Sequence, residues 1–127
     1  MIINDESVHA EVSRLFQLYE DALVSNNVVV LDELFWADER TIRYGGAENL
    51  YGSAEILAFR NARSAQGLSR QLSRTVITTY GADFATCSTL FERDNVPEKI
   101  GRQMQTWVRM PVGWRIVAAH VSVVTVA

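Results

Sequence analysis

The chain has 127 residues, 48% of them apolar and 21% charged, with a formal net charge of −3. That composition fits one globular domain, 1–127, able to bury an ordinary core. The acidic balance argues against nucleic acid or an anionic membrane as partner, and no apolar run approaches the ~20 residues of a membrane span. The start, Met-Ile-Ile-Asn-Asp-Glu, lacks the basic and apolar regions of a secretory signal. Cys87 is the single cysteine, so no internal disulfide can form. These features make a cytoplasmic location the expectation.

Val8, Val12, Leu15, Phe16, Tyr19 and Leu23 recur on one helical face, which predicts a helix from Ser7 to Ser25. Asp5 or Ser7 can cap it, and Glu6 and Glu11 suit its positive end. Asn26-Asn27 ends it. Val28 to Trp36 reads as a short second helix, capped by Asn27, with Leu31, Leu34 and Phe35 inward. Glu39 to Tyr44 alternates and reads as a strand that Gly45-Gly46 breaks. Ser53 is placed to cap a third helix running to about Gln66, with Gly67 as its stop. From Leu68 onward the chain reads as strand: Ser69–Tyr80, Asp83–Arg93, Gly101–Met110 and Trp114–Val124. Gly81, Asn95-Val96-Pro97 and Pro111-Val112-Gly113 supply the turns.

Three helices and a long antiparallel meander predict an α+β fold, a curved sheet wrapped around the N-terminal helices as a cone with an open mouth. The last strand is apolar on both sides. Strict alternation puts Trp114, Ile116 and Ala118 on one face, with Val117, Ala119, Val121 and Val123 on the other. A sheet with one wet face should alternate apolar with polar. Both faces therefore need cover, and the expectation is a homodimer or dimer of dimers formed through the convex side.

The two histidines, His9 and His120, are far apart and have no partner at ligand spacing, so no metal or other cofactor is expected. No phosphate loop or Gly-x-Ser-x-Gly motif is present, and Cys87 falls mid-strand as a small core residue. The chemistry rests instead on polar residues at core positions. Tyr19 sits on the apolar stripe of the first helix; its hydroxyl bonds either a backbone carbonyl or a ligand. Arg43 faces the cone if Ile42 and Tyr44 face outward, and there it must be paired, by a carboxylate of the protein or of a substrate. Gln103, Gln105 and Trp107 share one strand face, as a hydrogen-bond ladder or as ligand contacts. His120 shares the strict-alternation face of Trp114, Ile116 and Ser122, as a core or interface histidine or as a substrate contact. Arg60 and Arg63 read as a solvated helix face, and Arg70 and Arg74 as neighbours on one face of the next strand. Eleven of the twelve basic residues are Arg, a side chain suited to gripping carboxylates in pairs of bonds; codon bias gives the same composition.

The ending Gly-Trp-Arg-Ile-Val-Ala-Ala-His-Val-Ser, behind three helices, resembles the SnoaL-like or nuclear-transport-factor-like cone superfamily. More specifically, Tyr19, Asp32-Glu33-Leu34-Phe35-Trp36, Ile42-Arg43-Tyr44-Gly45, Glu48-Asn49-Leu50-Tyr51-Gly52, Phe59-Arg60, Val76-Ile77-Thr78-Thr79-Tyr80-Gly81 and Gly101-Arg102-Gln103 resemble the AtzH-like family. Within that family they resemble the branch associated with oxalurate catabolism. The resemblance runs from about Asp5 to Ser122. It implies a role beside amidase-signature hydrolases in ureido-compound breakdown, and a metal-free decarboxylating amidohydrolase acting on a small dicarboxylated urea. It also implies that Tyr19 and Arg43 project into the cone as catalytic residues. Gln105, Arg70 and His120 complete the candidate set as substrate-binding residues for a small anionic ureido or carboxylate ligand. A non-catalytic subunit that binds or stabilises an amidase partner is the other reading.

Overall fold

A computed structural model of the chain describes residues 1–126. Helix α1 (Glu6–Val24) starts where Asp5 accepts a bond from the Val8 N–H at 3.2 Å, satisfying one of the donors a helix start leaves free. Its buried stripe is Val8, Val12, Phe16, Tyr19 and Leu23, with Glu20 buried beside them. Helix α2 (Val28–Leu34) is capped by Asn27, which accepts from Val30 N–H at 3.3 Å. Phe35 is extended rather than helical and bridges to Ile116, so α2 stops earlier than its apolar pattern suggests.

Strand β1 is short, Ile42–Tyr44, and the glycines after it build a hairpin into a further strand, β2 (Asn49–Tyr51). The Gly45 N–H donates to the Glu48 carbonyl at 2.9 Å across that turn. A three-residue strand has too little alternation to stand out in sequence. Helix α3 is Ser53–Ala62: Gly52 (φ 87°) takes the cap position, and Arg63 is already extended, ending the helix before Gln66. Strands β3 (Gln71–Tyr80), β4 (Phe84–Glu92), β5 (Lys99–Met110) and β6 (Gly113–Thr125) follow.

The six strands make one sheet in the order β2-β1-β6-β5-β4-β3, with β1 parallel to β6 and the other pairs antiparallel. Two irregularities bend it. One lies between Ser73 and Val76, where Arg74 has φ 52°. The other places Thr106 opposite Ala118 but Trp107 opposite Ile116, leaving Val117 unpaired. Such bulges add curvature and re-aim side chains. The concave face receives α1, α2 and α3 over a core that includes Val12, Leu31, Cys87, Trp107 and Ile116 at 0% exposure. Burial pushes the Cys87 thiol up to about 12, so it stays a thiol.

Gly101 is a close-packing position. A methyl group added there would overlap the ring of Phe91, itself buried on the adjacent strand. Gly101→Ala is expected to destabilise the fold by about 1–3 kcal/mol, the usual cost of overpacking, read as a lower midpoint in urea unfolding.

Candidate functional site

Between α1, the end of α3 and the concave face lies a cavity of about 180 Å³, lined by Tyr19, Leu23, Arg43, Phe59, Arg63, Arg70, Phe91, Arg93, Gln103 and Val121, with Gly46, Glu48 and Val123 also bordering it. It is smaller than the roughly 300–1,000 Å³ of drug-sized sites, so it suits a small metabolite. Each wall follows from local structure. Tyr19 comes from the buried stripe of α1, and Arg43 is the inward residue of β1 between Ile42 and Tyr44. Gln103 is an inward residue of β5, opposite Val121 and Thr89.

Guanidinia crowd this space, and aromatic rings carry them. Phe59 lies under Arg43 and Arg63, at 5.1 and 5.7 Å from ring centre to guanidinium carbon. Phe91 lies under Arg70 and Arg93 at 4.5 and 4.9 Å, and Phe35 under Arg60 at 5.4 Å. Contacts of this type contribute about 0.5–2 kcal/mol each, more when desolvated. Two carboxylates help. Glu20 takes Arg70 through Nε at 3.0 Å and Nη2 at 2.6 Å, while Glu48 takes Arg43 Nη1 at 2.7 Å. Five guanidinia against two carboxylates leave three positive charges unmatched.

Hydrogen bonding shows the same excess of donors. Arg70 Nη2 also donates to Gln103 Oε1 at 2.9 Å. This fixes the Gln103 amide, with its NH₂ pointing away from Arg70. Buried donors with no partner are Arg60 Nε and Nη1, Arg63 Nε and Nη2, Arg93 Nε, Gln103 Nε2 and Gln105 Nε2. Buried polar groups are normally paired, and an orphaned one costs about 1–3 kcal/mol. Those on Arg63, Arg93 and Gln103 border one cavity, the complement of a ligand rich in acceptor oxygens.

Tyr19 is 2% exposed, and Arg60 Nη2 donates to its hydroxyl oxygen at 3.3 Å. Burial alone would raise the phenol's pKa. The charges of Arg60, Arg43 and Arg70, together with the Arg60 hydrogen bond, outweigh burial and hold it below the ordinary value of 10.0. Arg63 is pushed down to about 10 by burial and then by Arg60 and Arg43, and Arg93 is lowered by burial and by Arg70.

The structure brings Tyr19, Arg43 and Arg70 to one cavity. Gln105 lies outside that lining; it is buried, and its Oε1 accepts from Trp107 Nε1 at 3.0 Å. Its neighbour on the same strand face, Gln103, is the glutamine that lines the cavity. His120 is a correction. The extra residue Val117 shifts the phase of β6, so Trp114 and Ile116 face inward with Ala119 and Val121, and His120 is exposed on the convex face. There it packs edge-on against Tyr44, with ring centres 5.9 Å apart. Arg60 and Arg63 correct a second expectation: Arg60 is 1% exposed, and both point to the cone rather than to solvent. Arg70 and Arg74 do not share a face either, because the bulge at Arg74 turns it to the convex groove beside Ser88 and Met104. Glu20 and Glu48 have no signal in the sequence, since a lone acidic residue beside a helix stripe or a turn reads as solvated.

Among the described residues no three His, Cys, Asp or Glu side chains group as metal ligands would. His9 is committed elsewhere, its Nε2 donating to the Ile77 carbonyl at 2.9 Å. No helix of the described residues is long and apolar enough to cross a membrane.

Comparison with known proteins agrees with this architecture. A protein of unknown function from Pectobacterium atrosepticum is 61% identical over 97% of this chain and 95% of its own, with TM-score 0.94. A cystatin-like fold protein from Burkholderia xenovorans is 46% identical over 100% of this chain and 99% of its own, also at TM-score 0.94. A nuclear transport factor 2-like superfamily protein from Salmonella enterica shares the fold at 22% identity, TM-score 0.72, covering 95% of this chain and 92% of that one. No curated protein matches the chain. The profile of the AtzH-like family matches residues 1–126, nearly every residue that builds the cone and its arginine-lined cavity, and the chain belongs to that family.

Proposed function

We propose that the cavity binds a small anionic ureido compound, of the oxalurate or dicarboxyurea type, and that from a compound of the dicarboxyurea type, which carries its carboxylate on nitrogen, it removes that carboxylate as carbon dioxide. The observation that carries this reading is the set of buried, unpartnered donors on Arg63, Arg93 and Gln103 around a cavity of about 180 Å³. Carboxylates and a urea carbonyl supply the acceptors these donors lack. Tyr19 is the one neutral proton donor in the lining.

In the step itself, Arg43 and its neighbours hold the carboxylate, and Tyr19 Oη–H donates its proton to the adjacent nitrogen. The C–N bond then breaks with its electron pair on nitrogen, giving an amine and CO₂, and the phenolate regains a proton from water. A protonated nitrogen is a far better leaving group, and positioned acid catalysis is worth about 10²–10⁴-fold. The depressed phenol pKa moves Tyr19 toward working pH, where such an acid is most effective.

Glu48 stands beside Arg43 where a ligand carboxylate would compete for it. Its pairing is partly exposed, with 22% of the Glu48 side chain accessible, so the competition is affordable.

A second copy of the chain is the proposed cover for the convex face. Val76, Phe84 and Met104 are 56%, 53% and 58% exposed there, and Met104 also borders a groove with Tyr44 and His120. Sedimentation at micromolar concentration is expected to give a dimer or larger. A monomer would remove this proposal, and association only with an amidase would favour the partner-subunit reading.

Incubating the purified protein alone with candidate ureido acids and measuring CO₂ release tests the reaction. Tyr19→Phe is expected to lower turnover at least ~10²-fold, with a fall in stability of no more than about 1–3 kcal/mol because Arg60 Nη2 loses its acceptor. Arg43→Lys keeps the charge and loses the fork, so binding should weaken by roughly 2–5 kcal/mol. Wild-type rates in both variants would end the assignment. Glu48→Gln removes the competing carboxylate and should tighten substrate binding by about three- to tenfold, read as a lower KM or Kd.

A further inference from the structure

Arg60 does not line the cavity. It lies behind Tyr19, 1% exposed, and among the described residues the one hydrogen-bond partner of its guanidinium is the Tyr19 hydroxyl at 3.3 Å. Among the described residues no carboxylate approaches it, and Nε and Nη1 have no acceptor. Phe35 supports the guanidinium from one side at 5.4 Å, and the same ring lies 6.3 Å from the Tyr19 ring. A buried, unpaired guanidinium is among the least favourable groups a core can hold. An apolar residue of like length would pack there at lower cost. A protein that keeps Arg at this spot gains something other than stability.

We infer that Arg60 is a positioning residue whose unmatched guanidinium fixes the Tyr19 hydroxyl and serves as the counter-ion of the Tyr19 phenolate. The inference rests on the reading of Tyr19 as proton donor. With its proton in place, the Tyr19 oxygen accepts from Arg60, which leaves its own O–H free to point at a ligand in the cavity. When that proton leaves, the phenolate forms against a guanidinium already in place, and no reorganisation is required. The charge Arg60 lacked in the resting state is thereby matched.

Every charged group around Tyr19 acts in the same or a cancelled sense. Arg43 of β1, Arg63 at the end of α3, Arg70 before β3 and Arg93 after β4 all favour the phenolate. Glu20 of α1 is held by Arg70, and Glu48 by Arg43. The strands β5 and β6 present only Gln103, Val121 and Val123 to the cavity. Arg60 is the one that touches the phenol oxygen.

The free protein allows the test without any substrate. The chain has four tyrosines. Tyr44 and Tyr51 bond each other through their hydroxyls at 3.0 Å, and that bond raises Tyr51. A spectroscopic titration of tyrosinate absorbance is expected to show one tyrosine ionising early, below the ordinary ~10. Tyr19→Phe should abolish that early step. Arg60→Met should move it up by roughly one pH unit or more, while melting stays level or rises because a buried charge is gone. Arg60→Gln, which drops the charge and keeps one donor, gives the same comparison if the Met variant does not fold. The alkaline limb of the pH–rate profile, where a proton donor is lost, should move with the titration.

An early step that stays at the same pH in the Arg60 variants overturns the inference, as does a wild-type protein with no early tyrosine. An Arg60 that serves packing alone would lower melting and leave the titration still. Failure of the two ideas is distinguishable. An early Arg60-dependent step without turnover supports the pairing and removes only the decarboxylation reading. Turnover with an ordinary, Arg60-independent tyrosine does the reverse.

Discussion

Five guanidinia share the interior of this cone with two carboxylates, and the rest of the molecule is arranged around that imbalance. Like charges in a low-dielectric space repel strongly, so each guanidinium needs a fixed seat. Phenylalanine supplies it. Phe59 and Phe91 each carry two guanidinia, and Phe35 carries one. Glu20 then spends both its oxygens on Arg70, and Arg70 orients Gln103. The result is a wall in which almost every polar atom is a donor held from behind. The chain as a whole is at −3, so the positive interior sits inside a negative exterior.

The fold was legible because its signals are long. The stripe of α1 repeats over four turns, and β3 to β6 are runs of nine to thirteen residues bounded by turn residues. The short elements were not. β1 and β2 have three residues each, below the length at which a period can be counted. Two further errors share one cause, the bulge. Strict alternation put His120 on the face of Trp114 and Ile116, and one unpaired residue, Val117, reversed it. Arg74 and Arg70 parted at the bulge beside Arg74 for the same reason. A period-2 argument is only as good as the continuity of the ladder.

The site was half legible. Tyr19 could be picked out as a polar tip on an apolar stripe, and Arg43 as a charge between two outward residues. Arg60 and Arg63 could not, because charged residues near a helix end read as solvated by default. Their burial is tertiary, created by Phe35 and Phe59 meeting them from other turns and elements. The fold does not close the gap, since cones of this kind host many functions. A relative at 22% identity shares the backbone and says nothing about the arginines. What separates this cone from others is the content of its cavity, and that is visible only when the side chains are in place.

The preference for Arg over Lys in the cavity has a physical reason that magnitudes can decide. Burial, and then crowding by Arg60 and Arg43, bring Arg63 down from 12.5 to about 10. The guanidinium remains charged at neutral pH despite that displacement. A Lys begins lower, near 10.4, and the same displacement would leave it at about 8. Several such lysines side by side would shed protons to relieve one another, and the site would lose the charge it is built to hold. Arg43, Arg60, Arg63, Arg70 and Arg93 cannot escape in that way. Their mutual repulsion therefore stays in the folded protein. Codon bias explains an Arg-rich surface equally well. The demand for permanent charge explains four arginines lining one small cavity with a fifth, Arg60, buried behind its tyrosine.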